Sequence, residues 1–241
     1  MRVFIAARAR FAEDALGDAI GQGVSQVVIL GSGLDTYAYR TPLCYRLRIF
    51  EVDHPDTQLW KRQMLERAGI VIPDSLTFAP VDFERQMLGE GLAAAGFDPG
   101  QQTFFTWLGV VPYLMEEGIW ATIAFIAGVR GSAHVVFDYS DPPETLSQEA
   151  RARHDLRAKH VADLGEEMRS YFKAEEIRAK LMAFGFSKVD DFGPAQIADR
   201  YFAGRGHTSD RGGHFILAAK LAGAYVPPAA GDSNPEALSL G

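Results

Sequence analysis

Five short runs, each rich in β-branched or aromatic residues, alternate with stretches of helical periodicity, and this alternation limits the fold more than any other feature. The runs are Ser25–Leu30, Leu47–Asp53, Leu76–Asp82, Thr103–Leu108 and Ala133–Tyr139, each closed by glycine, proline or an acid. Between and after them, apolar residues recur at helical spacing: Trp60, Met64 and Ala68; Ile119, Ile123 and Ile126; Ile177, Leu181 and Phe184. Strands that are apolar almost throughout have two faces to bury. Helices alternating with them cover both, which predicts an α/β fold with a mostly parallel sheet. Two further strands are expected near Ser187–Phe192 and His214–Lys220.

The chain has 241 residues, which suits one large α/β domain. The reading is a single domain over 1–225, with a small helical cap inserted around 142–165 and a flexible, proline-rich tail over 226–241. Net charge is −7 and no basic run stands out, which argues against a nucleic-acid partner. No apolar run approaches the roughly 20 residues that span a bilayer, and the N-terminus is too short and arginine-interrupted for a signal peptide. A single cysteine, Cys44, allows neither an internal disulfide nor a cysteine-based zinc site and fits a reducing cytoplasm. Six histidines are present, but none falls in a motif that marks a base or a metal ligand; "RGHTSDRGGH" (205–214) has no zinc spacing and reads as a loop.

The first strand runs into Gly31-Ser32-Gly33, at the strand end where open parallel sheets bind nucleotide-type ligands. The dinucleotide fingerprint is incomplete, because Thr36 stands at its third glycine. Asp35 adds a carboxylate where such folds place a pyrophosphate. That disfavours NAD(P) and tolerates a phosphate-free, positively charged ligand such as S-adenosylmethionine; capping the next helix is a compatible alternative. Glu51 and Asp53 each lie 20 residues beyond one of the glycines and share one side of the second strand. An acid at that distance is placed to hold ribose hydroxyls. Asp82-Phe83 closes the third strand with an acceptor and an apolar ring, the pair that an adenine needs. In the cap, Arg153, Arg157 and His160 fall on one helical face, which reads either as a solvated face or as a draw for an anionic acceptor.

Taken in order, "ARARF" (7–11), "QVVILGSGLDTYAYR" (26–40), "FEVDHP" (50–55), "VDF" (81–83) and "WLGVVPYL" (107–114) resemble the leucine carboxyl methyltransferase family, especially its bacterial S-adenosylmethionine-dependent branch. The resemblance continues through "LMAFGF" and "RYFAGR" and covers most of the chain. It implies a class I methyltransferase (Rossmann-like) sheet of seven strands, the last antiparallel. It implies that Arg8 pairs with the carboxylate of the cofactor's methionine half, with Arg10 as the neighbouring alternative. Gly31 and Gly33 would let the backbone approach that half. Asp53, with Glu51 second, would hold the ribose, and Asp82 and Phe83 the adenine. The implied activity is O-methylation of a small molecule, at a carboxylate or a hydroxyl, with a polyketide acid as one family precedent; Tyr113, Arg153 and Arg157 are candidate acceptor contacts. A non-catalytic cofactor-binding homologue and an NAD(P)-dependent oxidoreductase are the competing readings.

Two departures from the family pattern stand out. Many members carry an acid in the fourth-strand motif where this chain has Leu108, and several tens of residues usually precede the Arg8 segment. The second departure predicts an exposed cleft near Arg8 and weak cofactor affinity, unless the natural start lies upstream or the cap acts as the lid.

Overall fold

The computed structural model describes residues 2–82, 85–163, 165–203 and 213–223. In chain order these form α1 (Arg2–Gly21), β1 (Gln26–Leu30), α2 (Tyr37–Arg40), β2 (Arg48–Asp53), α3 (Pro55–Arg67), β3 (Leu76–Pro80), α4 (Leu88–Ala94) and β4 (Thr103–Trp107). There follow α5 (Glu116–Gly128), β5 (Ala133–Ser140), α6 (Gln148–Ala162), α7 (Ala174–Ala183), β6 (Lys188–Phe192), α8 (Pro194–Phe202) and β7 (Gly213–Lys220). All seven expected strands are present within two residues of their expected limits. The tail 226–241 lies outside the described residues.

The strands form one sheet in the order β3-β2-β1-β4-β5-β7-β6. β7 runs antiparallel to both β5 and β6, and the other pairings are parallel. Alternate residues of one strand feed opposite cores. Val28 and Leu30 of β1 join Phe50, Phe105, Ile119, Ile123 and Ile177 on one side. Val27 and Ile29 join Phe11, Leu16, Phe104 and Phe215 on the other. This two-sided burial is why the strands read as unbroken apolar runs. Ile123 has no exposed surface, and truncating such a residue to alanine costs about 2–5 kcal/mol.

One helix face is opposite to expectation. The Trp60–Met64–Ala68 stripe of α3 faces solvent, with Trp60 48% and Met64 41% exposed. The buried side carries Gln58, Lys61 and Leu65 instead. The physical reason is β2, which presents the carboxylate of Glu51 to this helix, so polar α3 side chains are the ones that fit. Gln58 Nε2 donates to the Glu51 carbonyl at 2.7 Å, and Lys61 Nζ stands 2.7 Å from Glu51 Oε2.

Candidate active site

Strand order reverses between β1 and β4, so a crevice opens beyond their C-terminal ends. Gly31 and Gly33 follow β1 with φ of +62° and +40°, a conformation that glycine adopts without strain. A Cβ on Gly31 would stand 2.5 Å from Val110 Cγ2, beyond β4. The turn is tied to the neighbouring strand: the Ser32 N–H donates to the Val52 carbonyl at 3.1 Å, and the Gly33 N–H donates to Asp53 Oδ2 at 2.6 Å. Asp53 Oδ1 accepts the His54 N–H at 2.8 Å. A carboxylate offers about four lone-pair directions, so Asp53 keeps capacity for a ligand hydroxyl pair. Ser32 Oγ, buried inside the same turn, has no hydrogen-bond partner among the described residues.

The other expected cofactor residues separate. Glu51 is fully buried, held by Lys61 and by the Tyr39 hydroxyl, which donates to Oε2 at 3.3 Å. Burial pushes its carboxyl up to about 7, against the opposing pull of Lys61. Asp35 accepts the Tyr37 N–H at 2.7 Å and so caps the start of α2. Its other neighbours are Glu13, Leu16, Thr106 and Leu108 around a small cavity. Asp82 follows β3, with the Arg85 guanidinium 3.4 Å away. Phe83 lies outside the described residues, as do residues 204–212, which include His207.

A larger cavity of about 630 Å³ adjoins the crevice on the β5 side. α1 contributes Arg8, the segment after β4 contributes Gly109 and Tyr113, the end of β5 contributes Asp138 and Tyr139, and α6 covers it with Arg153, His154, Arg157 and His160. Thus the cap residues singled out from the sequence face the same space as Arg8. Arg8 does not stand alone there: its Nη1 pairs with Asp138 Oδ2 at 2.8 Å. Asp138 Oδ1 accepts the Gly109 N–H at 2.6 Å. Gly109 has φ +73°, and a Cβ there would lie 2.7 Å from both terminal nitrogens of Arg8.

Arg153 Nη1 donates to Glu149 Oε1 at 3.0 Å. His154 has both ring nitrogens engaged, Nδ1 with Asp155 at 3.0 Å and Nε2 with the Tyr171 hydroxyl at 3.2 Å. The Tyr113 hydroxyl is raised by burial and then by Glu166, so it remains a neutral hydrogen-bonding group. Tyr139 donates to Asp191 Oδ2 at 2.6 Å and stacks on His214 at 4.7 Å.

Against known proteins, the leucine carboxyl methyltransferase family matches residues 1–127, more than half of the chain. The chain belongs to the leucine carboxyl methyltransferase family. Among its relatives is "Putative S-adenosyl-L-methionine-dependent methyltransferase YktD" of Bacillus subtilis, 36% identical over 83% of this chain and 66% of that protein. A "Putative S-adenosyl-L-methionine-dependent methyltransferase" of Mycobacterium marinum is 31% identical over 96% of this chain and 66% of that protein. The chain thus spans 66% of the length of each. Magnesium protoporphyrin IX methyltransferase from Synechocystis, solved with bound SAH, superposes with a TM-score of 0.53 at 13% identity, covering 89% of this chain and 84% of that one. At that identity the likeness is one of fold, and the fold is the class I methyltransferase sheet.

Within this member of the family, sequence reading missed Asp138, Gly109 and Lys61. Asp138 carried a usable signal, since "VVFDYS" has an acid near the end of a strand, as "FEVD" does. Gly109 and Lys61 carried none, because their significance lies in partners far along the chain. Among the described residues, no cluster of three or more His, Cys, Asp or Glu could hold a metal, and no helix is long and apolar enough to cross a membrane.

Proposed function

We propose that this chain binds S-adenosylmethionine across the β1–β4 crevice and transfers its methyl group to an oxygen of a small-molecule acceptor held under α6. The observation that carries this reading is one cavity lined both by Arg8, Gly109 and Asp138 and by the arginine- and histidine-bearing α6, with Gly109 next to the Val110 that packs against Gly31. The residues fit the cofactor by three tests. Gly33 leaves space where a Cβ would stand, Asp53 keeps free acceptor capacity, and a buried hydroxyl in the turn lacks a partner among the described residues.

Gly31 and Gly33 approach the methionine half, Arg8 takes its carboxylate, Asp53 holds the ribose and Asp82 the adenine amino group. Glu51 gives way to Asp53 in the ribose role, because its carboxylate is fully buried beside Lys61 and presents no surface to a ligand. Asp35 serves by holding α2 in place. The bound cofactor supplies an electrophilic methyl on a sulfonium, a leaving group needing no activation. The protein aligns acceptor oxygen, methyl carbon and sulfur, and excludes water. A carboxylate acceptor is already ionised and needs no base. That suits a cavity whose His154 has both nitrogens engaged. Arg153 and Arg157 on α6 supply positive charge for an anionic acceptor, and Tyr113 a hydrogen bond.

Incubation with methyl-labelled S-adenosylmethionine and a panel of apolar carboxylic acids tests the reading. Label should appear as a base-labile ester, and the Arg153→Ala, Arg157→Ala double variant should raise KM for the acid more than it lowers kcat. Label transfer indifferent to both arginines contradicts the acceptor assignment. Tight cofactor binding with no transfer to any acid or alcohol favours the non-catalytic homologue.

A further inference from the structure

Arg8 and Asp138 place opposite charges side by side on the cavity wall, 2.8 Å apart, with 17% and 9% of their side chains exposed. They come from α1 and β5, 130 residues apart in sequence. The Asp138 rotamer is fixed by the Gly109 N–H, and the absence of a side chain on Gly109 is what lets the guanidinium lie there. Asp138 is the one acid among the described residues lining this cavity, and the end of β4, one strand away, offers only the hydrocarbon of Leu108.

A nearly desolvated ion pair resists a ligand of single charge, because engaging one partner leaves the other without compensation. A ligand with both charges on one carbon avoids that penalty by giving each partner a new counter-charge at once. Asp138 also keeps lone-pair directions beyond the two already engaged. We infer that Arg8 and Asp138 together form a zwitterion subsite, in which Asp138 takes the ammonium of the cofactor's amino-acid end while Arg8 takes its carboxylate. The inference rests on the S-adenosylmethionine reading above and adds a second binding residue to it.

The test is calorimetric titration of the full chain with three ligands. These are S-adenosylhomocysteine, its desamino analogue, which keeps the carboxylate and lacks the amine, and methylthioadenosine, which lacks both. Wild type should bind the desamino analogue about ten-fold more weakly than S-adenosylhomocysteine, the scale of one charge-assisted hydrogen bond. Asp138→Asn should lose about the same factor for S-adenosylhomocysteine, bind the desamino analogue at least as tightly as wild type does, and leave methylthioadenosine unchanged. Equal wild-type affinity for the parent and the desamino analogue overturns the ammonium assignment, and this arm needs no variant to fold. An Asp138→Asn protein that weakens the desamino analogue as much as the parent shows that Asp138 acts only by steering Arg8, which also overturns it. If wild type binds none of the three, the cofactor reading itself fails, a result separate from either of these.

Discussion

Lys61 Nζ stands 2.7 Å from Glu51 Oε2, with 3% and 0% of the two side chains exposed. A buried pair of this kind is costly to break from one side, because Glu51, its pKa already pushed up to about 7, must then either stay charged without a partner or take up a proton. Lys61→Met should therefore destabilise the protein by about 3–5 kcal/mol. The double variant Glu51→Gln, Lys61→Met should recover part of that loss. Urea denaturation of both proteins measures the difference, and a single variant no less stable than the double would show that the pair contributes little.

His214 makes stability depend on pH. Its Nδ1 lies 2.8 Å from Asp191 Oδ1 and its Nε2 3.1 Å from Asp141 Oδ1. Burial alone would lower its pKa; the hydrogen bonds and charges of Asp141 and Asp191 outweigh that and push it up to about 9. The folded value exceeds the unfolded one of about 6.5. The contribution is therefore fully present below that pH and is lost as pH rises through the folded value. After discounting for solvent screening it amounts to about 1–2 kcal/mol. Wild-type stability should fall between neutral pH and pH about 9, and His214→Gln should be less stable at neutral pH and flatter over this window. Parallel slopes in the two proteins would remove His214 as the cause.

Gly17 sits in α1, exposed, with open space where a Cβ would stand. Gly17→Ala should stabilise by about 0.5–1 kcal/mol, because alanine loses less backbone entropy in a helix. Gly31→Ala should do the opposite, since its φ is +62° and its Cβ would strike Val110. Thermal unfolding of the two variants should move in opposite directions, and a shared direction would contradict the argument.

Asp53 and Glu51 stand two residues apart on one face of β2 but should differ in what they bind. Asp53→Ala should weaken S-adenosylmethionine by about 2 kcal/mol or more, because a charge-assisted hydrogen bond contributes about 1.5–3 kcal/mol and the ribose would lose two. Glu51→Gln should change that affinity little and stability more. Calorimetry and denaturation on each variant decide, and the reverse order would return the ribose role to Glu51.

The inner strands β1, β4 and β5 were legible because they bury two faces, so their runs are largely apolar and their ends are marked by polar or turn residues. Gly31, Gly33 and Asp53 were legible for a related reason: they lie at strand ends at a spacing set by one βαβ unit. What depends on distant partners was not legible. Spacing placed Glu51 beside Asp53 on one strand face, but only α3 packing shows that Lys61 engages it. The Trp60 stripe gave a period without saying which side of the helix meets the sheet. Arg8 was singled out by the family resemblance, whereas Asp138, which pairs with it, lies on β5, 130 residues away.

On the reading proposed above, the β1–β4 crevice takes S-adenosylmethionine rather than a dinucleotide. Parallel titrations of the full chain with S-adenosylmethionine and with NADH test it most directly. S-adenosylmethionine should show saturable one-to-one binding that Asp53→Ala weakens, and NADH should show none. Binding of NADH with no binding of S-adenosylmethionine would contradict it.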